Sequence, residues 1–103
     1  MPSFKRITPE AALSILKQSH EAQLLDVRAE ADFKRGHIPG ATYFTQNNLP
    51  QFTKNLAKTT PILIYCYHGN ASQTFAQLFI DFRFEDVYSI DGGYELLSKL
   101  TNL

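Results

Sequence analysis

The chain has one cysteine, Cys66, in 103 residues. It therefore cannot close a disulfide within itself and does not read as a disulfide-stapled secreted domain. It also lacks a surplus of either charge sign: ten Lys and Arg balance ten Asp and Glu, for a formal net charge of zero. Without a basic excess there is no electrostatic footprint for nucleic acid or for an acidic membrane surface. No apolar run approaches the roughly 20 residues that a membrane-spanning helix needs. The opening residues, Met1-Pro2-Ser3-Phe4-Lys5-Arg6, are not followed by the apolar core of a secretory signal. Internal repeats, low-complexity tracts and linkers are missing too. Cys66, His20, His37 and His68 show no paired spacing of the kind metal sites use, so no metal is expected. These absences lead to the expectation of a cytoplasmic protein forming one domain over residues 1–103, long enough for a core but too short for a second one.

What is present alternates strand and helix patterns. Phe4 to Ile7 reads as a short edge strand. Thr8-Pro9-Glu10 then reads as N-cap, first-turn proline and first-turn acid of a helix whose apolar face carries Ala12, Leu13 and Leu16. Gln23 to Val27 is a second strand, Glu30 to Lys34 a short helix stopped by Gly36, and His37-Ile38-Pro39-Gly40-Ala41 a turn leading to an extended piece at Thr42 to Phe44. Asn48 is expected to cap a helix running to about Leu56. Pro61 to Cys66 is the most apolar segment and is expected to be the central strand, with Cys66 its last residue. Ser72 to Phe82 is a helix, Val87 to Ile90 a strand, and Tyr94 to about Leu100 the final helix after Asp91-Gly92-Gly93. Strands interleaved with helices predict an α/β fold: a central, mainly parallel sheet with helices on both faces.

Cys66 is the candidate for chemistry because of where it falls. Ligands of parallel sheets bind just beyond the carboxyl ends of the strands. A thiol there faces the amino end of the next helix, and the thiolate is the nucleophile. The segment that follows, Tyr67-His68-Gly69-Asn70-Ala71-Ser72, is small and polar. Gly69 accommodates positive φ, and Asn70 tolerates it, so successive N–H groups can turn inward as an anion-holding nest. Asn70 or Ser72 is placed to cap the next helix. No Lys, Arg, Asp or Glu lies between Lys58 and Asp81, so stabilisation of a thiolate from this stretch falls to backbone dipoles, with His68 a modest contributor when protonated. The competing reading makes Cys66 a small buried hydrophobe ending a strand. A cysteine phosphatase of the Cys-x₅-Arg type is disfavoured: the arginine position is occupied by Ser72, and the first arginine after Cys66 is Arg83.

Three segments carry a resemblance. Leu24-Leu25-Asp26-Val27-Arg28, with Phe33 and Gly36-His37-Ile38-Pro39-Gly40-Ala41, is similar to the amino-terminal signature of the single-domain rhodaneses. Cys66 and its loop fall at that family's persulfide-forming position. Asp91-Gly92-Gly93-Tyr94 is similar to its carboxy-terminal signature. Cys66-Tyr67-His68-Gly69-Asn70 and Val87-Tyr88-Ser89-Ile90-Asp91-Gly92-Gly93 most resemble the small bacterial GlpE type, and the resemblance spans about Phe4 to Leu100. Two departures stand out. Tyr67 occupies a place where many members carry a basic residue, as it does in the small bacterial type. Ala71 stands where that type tends to have serine, which removes one hydroxyl donor to the sulfur and leaves the backbone donors.

The resemblance implies a rhodanese-like domain acting as a thiosulfate sulfurtransferase. Cys66 takes the sulfane sulfur of thiosulfate as a persulfide and passes it to cyanide, a thiol or a thioredoxin-like protein, with no bound cofactor. The loop Tyr67, His68, Gly69, Asn70, Ala71 and Ser72 binds substrate and persulfide, and Asp26 and Arg28 support it. Arg28 is read as an ion-pair partner of Asp26 rather than as an anion binder, because a lone buried charge is costly. His37, beside Pro39 and Gly40, is read as a turn anchor, and Phe75, Phe79 and Phe82, at helical spacing, as core. The alternative from another functional class is a non-catalytic partner-binding domain, or a relay passing sulfur between proteins.

Overall fold

Thr8 takes extended dihedrals and its hydroxyl accepts the N–H of Ala11, so the chain leaves its first strand through a side-chain cap and enters a helix at Pro9. The same alternation continues through residues 3–101, which the computed structural model describes. The elements are β1 (Lys5–Ile7), α1 (Pro9–Gln18), β2 (Gln23–Asp26), α2 (Glu30–Arg35), β3 (Thr42–Tyr43), α3 (Leu49–Thr53), β4 (Ile62–Tyr65), α4 (Ala71–Asp81), β5 (Val87–Ile90) and α5 (Gly93–Thr101). The five strands form one sheet in the order β1-β5-β4-β2-β3. Every pairing is parallel, and β4, the fully buried Ile62-Leu63-Ile64-Tyr65, lies at the centre with β1 at an edge. No helix among the described residues is long and apolar enough to cross a membrane.

The two-residue period of the strands sorts their side chains between two cores. Leu25, Ile62, Ile64 and Val87 face Phe44, Leu49 of α3, and Ala76 and Phe79 of α4. Leu24, Leu63, Tyr65 and Ile90 face Ala12 of α1, Ile38 and Leu97 of α5. Helices on both faces thus leave the carboxyl ends of the strands as the place where loops gather. His37 is an anchor, as expected: its ring stacks on Phe33 at 3.9 Å and its Nδ1–H donates to the Phe33 carbonyl over 2.9 Å.

Three expectations are corrected. The helix expected from Asn48 to Leu56 is only Leu49–Thr53, preceded by a 3₁₀ turn over Gln46–Asn48. Asn48 does not cap it, because its carboxamide oxygen accepts the Thr45 hydroxyl at 2.7 Å. Phe82 is not core: it is exposed at the C-cap of α4, whereas Phe79 is fully buried and Phe75 packs at the edge of the core. The chain turns back there at Arg83, whose φ is 74°, and Phe84 fills the core position instead. Finally, β4 ends at Tyr65, so Cys66 is the first residue beyond the strand.

Candidate active site

Cys66 is held at the carboxyl end of the central strand, only 3% exposed, directly before the turn into α4. Its Sγ receives the N–H of Gly69 at 3.1 Å and the N–H of Ser72 at 3.3 Å. Gly69 makes this possible. Its φ is +102°, and a Cβ there would sit 3.0 Å from the Gly92 nitrogen and 3.3 Å from the Ile90 carbonyl oxygen. A side chain would therefore strain the backbone and collide with the chain after β5.

The Ser72 hydroxyl also reaches the sulfur, at 3.4 Å. With a thiol, S–H donates to Ser72 Oγ. With a thiolate the same contact reverses and the hydroxyl donates. Burial pushes the Cys66 thiol up, but the Ser72 hydroxyl outweighs it together with the N–H groups of Ser72, Gly69 and His68, and the net effect holds the thiol below its ordinary value. The His68 N–H favours the thiolate without forming one of the hydrogen bonds to Sγ. No side chain of formal charge hydrogen-bonds to Sγ among the described residues, and the donors are backbone amides and a hydroxyl.

The remaining loop residues turn elsewhere. Tyr67 is exposed; its hydroxyl donates to the Asp32 carboxylate and accepts the Ala29 N–H at 3.3 Å, tying the loop to α2. His68 points outward, with Nδ1 3.3 Å from Glu95 of α5. Asn70 occupies the N-cap position of α4 with φ −93°, neither in positive φ nor capping with its side chain. Ser72 does not cap either, since its hydroxyl is turned to the sulfur. Ala71 opens α4 and is exposed. A hydroxyl does reach the sulfur, from Ser72, one residue after Ala71.

Asp26 and Arg28 are buried beside this loop and satisfy each other. Arg28 Nη2 lies 2.8 Å from Asp26 Oδ2, and Nε lies 3.2 Å and 3.1 Å from the two carboxylate oxygens. Asp26 also accepts the Arg28 N–H at 2.8 Å and the Tyr65 hydroxyl at 2.6 Å. The guanidinium further donates to the Gly36 carbonyl and lies 3.8 Å from the centre of the Tyr94 ring. It is thus engaged on its fork and its face, and it joins β2 to the turn after α2 and to α5. From the other side, α5 begins with N–H groups aimed at the loop: Tyr94 N donates to the Cys66 carbonyl at 2.7 Å and Glu95 N to the Tyr67 carbonyl at 3.4 Å.

One participant is absent from the sequence-derived site. Ser89 of β5, fully buried, lies with its Oγ 2.7 Å from Ser72 Oγ. Its only signal in the sequence is a polar residue inside the apolar strand Val87–Ile90, two positions from a core valine. The assembled site can hold a thiolate among backbone amides and a hydroxyl.

Comparison with known proteins gives concordant results. Residues 8–99 match the family described as the rhodanese-like domain. The chain is 43% identical to thiosulfate sulfurtransferase GlpE of Tolumonas auensis over 95 residues, covering 92% of this chain and 89% of that protein. It is 43% identical to thiosulfate sulfurtransferase GlpE of Pseudomonas putida strain F1 over 96 residues, covering 93% of this chain and 86% of that one. The crystal structure of a rhodanese-like domain protein from Staphylococcus aureus superposes with a TM-score of 0.74 at 23% identity, covering 91% of each chain, and attests the fold.

Proposed function

The chain belongs to the rhodanese-like domain family, and from that premise we propose that it is a thiosulfate sulfurtransferase working through Cys66. The observation that carries this reading is the Cys66 Sγ itself: a sheltered sulfur receiving two amide N–H groups, with a hydroxyl in reach and no arginine in the loop. In the first half-reaction the Cys66 thiolate attacks the outer sulfur of thiosulfate. The S–S bond of thiosulfate breaks, its electron pair leaves on sulfite, and Cys66 keeps the transferred sulfur as a persulfide whose outer atom carries the negative charge. In the second, cyanide or a thiolate attacks that outer sulfur, and the electron pair of the persulfide bond returns to Sγ. This is covalent catalysis in ping-pong order. Donors aimed at a developing sulfur anion favour both steps.

Gly69 and Ser72 donate to the sulfur, while Tyr67, His68, Asn70 and Ala71 shape the loop and its rim. Asp26 and Arg28 support the loop from beneath, and Arg28 does so as a partner of Asp26. Cys66 is the one cysteine, so no internal thiol resolves the persulfide and the acceptor is external. A small thiol or a thioredoxin-like protein in the cytoplasm suits that need, without a bound cofactor, nucleic acid or membrane. The donor set around Cys66 is complete, which supports catalysis over a purely partner-binding role. Residues 1–103 are read as one working unit.

The deciding experiment is intact-protein mass spectrometry after treatment with thiosulfate. The expected result is a gain of one sulfur atom on Cys66, removed by cyanide with release of thiocyanate. Protein that stays unmodified at every thiosulfate concentration, although its thiol is free, overturns the reading.

A further inference from the structure

We propose that Ser89 is a positioning residue for Cys66, acting through Ser72 as the far end of a buried chain Cys66 Sγ–Ser72 Oγ–Ser89 Oγ. The inference deepens the sulfur-transfer reading and rests on it for its catalytic meaning. β5 sets the problem: Val87 and Ser89 project to the same side of the strand, and Val87 belongs to the core packed under α4. Ser89 is fully buried on that side, where packing alone favours an apolar residue. Burying a hydroxyl is unfavourable unless it is hydrogen-bonded. The partner here is Ser72 Oγ at 2.7 Å, and Ser72 is itself fully buried and 3.4 Å from the sulfur.

The chain has two directions. With Cys66 as a thiol, S–H donates to Ser72, and the Ser72 hydroxyl is free to donate to Ser89. With Cys66 as a thiolate, Ser89 donates to Ser72 and Ser72 donates to Sγ. The proton lost from sulfur goes to water. None is handed along the serines, whose own hydrogens only rotate. Ser89 therefore supplies the donor that occupies the Ser72 oxygen when the Ser72 hydrogen is aimed at sulfur. Two aligned hydroxyl dipoles then face the thiolate in a sheltered site. This state occurs twice in the cycle, with Sγ as nucleophile during loading and as leaving group during discharge.

The charged groups around the site do not provide this service. Asp26, the last residue of β2, and Arg28, just beyond it, are bonded to each other. His68 of the loop faces Glu95 of α5, Asp91 after β5 pairs with Arg6 of β1, and Asp32 of α2 accepts Tyr67. On α4 the charged residue is Asp81, at its far end, which accepts Gln77.

The test reads the thiol directly, without thiosulfate, so its outcome is separate from that of the sulfur-transfer reading. The rate of Cys66 alkylation by iodoacetamide is followed against pH for wild type, Ser72→Ala, Ser89→Ala and the double variant, with thermal unfolding as a control. Ser89→Ala is expected to move the midpoint up by about half a pH unit, a roughly threefold loss of thiolate at pH values below it. The double variant is expected to match Ser72→Ala, because Ser89 acts only through Ser72. A Ser89→Ala profile superimposable on wild type overturns the proposal, as do shifts from Ser72→Ala and Ser89→Ala that simply add. A role in packing alone lowers the unfolding temperature and leaves the profile in place.

Discussion

At the scale of the residue, Cys66 is the only thiol, and everything proposed for the chain passes through its sulfur. Cys66→Ser is expected to fold as wild type, being nearly isosteric, and to lose essentially all thiosulfate:cyanide transfer. Near-normal turnover in that variant would sink the persulfide mechanism. The thiol is held down by amides and a hydroxyl rather than by an imidazolium, since the His68 side chain faces Glu95 in solvent. Gly69→Val is therefore expected to raise the midpoint of the alkylation profile and slow sulfur transfer by about a hundredfold, the usual cost of losing an anion-stabilising donor. His68→Ala should leave both nearly unchanged; the reverse pattern would replace the amide cradle with an imidazolium–thiolate pair. With Ser72 five residues and one step beyond Cys66 in place of an arginine fork, hydrolysis of an aryl phosphate should be negligible beside sulfur transfer. A Cys66-dependent phosphatase rate comparable to the transferase rate would contradict this.

Elements matter here through their ends. The loop after β4 is gripped by the first turn of α4, which donates to the sulfur, and by the first turn of α5, which donates to the Cys66 and Tyr67 carbonyls. The second grip depends on Gly93, with φ +56°. A Cβ there would lie 2.5 Å from the Cys66 carbonyl oxygen and 2.6 Å from that of Tyr67. Both contacts are with backbone, which cannot rotate away. Gly93→Ala is expected to destabilise the fold by about 2 kcal/mol, as overpacking does. In a domain of this size that lowers Tm by roughly 10 °C. Sulfur transfer is expected to fall further than the loss of folded protein explains, because the displaced group is the backbone of Cys66. Differential scanning calorimetry and a turnover assay on the same sample check both parts. An unchanged Tm would show that α5 is free to shift.

The whole molecule is two cores either side of a parallel sheet, with a buried polar cluster of Asp26, Arg28 and Tyr65 joining sheet to loops. Its tyrosine, together with Tyr88 of β5, is expected to set the alkaline limit of stability. Burial, then the bond to Asp26, hold the Tyr65 phenol well above its ordinary range, and a bond to Asp86 followed by burial pushes Tyr88 up to about 12. Above about pH 10 unfolded tyrosines shed protons that the folded chain retains, so the folded state binds more protons and stability falls as pH rises. Cys66, held below its ordinary value, works in the opposite direction, and its contribution is complete once pH passes the unfolded thiol value near about 8.5. Urea midpoints are expected to be level near pH 9 and to decline from about pH 10, with a shallower decline in Tyr65→Phe. A midpoint level to pH 11 would remove the tyrosines from the account.

The element order, the central place of Ile62–Tyr65, the Thr8 cap and the standing of Cys66 before a nest-forming loop were all legible in the sequence, because each rests on local causes: hydrophobic period, a capping hydroxyl, a glycine that permits positive φ. The family resemblance was legible too, in three ordered segments. The short helix at Leu49–Thr53 and the exposure of Phe82 were not. Asn48 spends its oxygen on Thr45, and the chain turns at Arg83 just after the helical period of α4 would carry Phe82 inward. Nor was the destination of each loop side chain. Tyr67 reaches α2, His68 reaches α5, and Ser72 turns to sulfur instead of capping its own helix. Ser89 is the clearest case. It is 23 residues from Cys66 in the chain, and only the parallel pairing of β4 with β5 and the packing of α4 across them bring its hydroxyl beneath the Ser72 that touches the thiol. Local physics determined which residues could do chemistry, and long-range packing decided which atoms they would do it with.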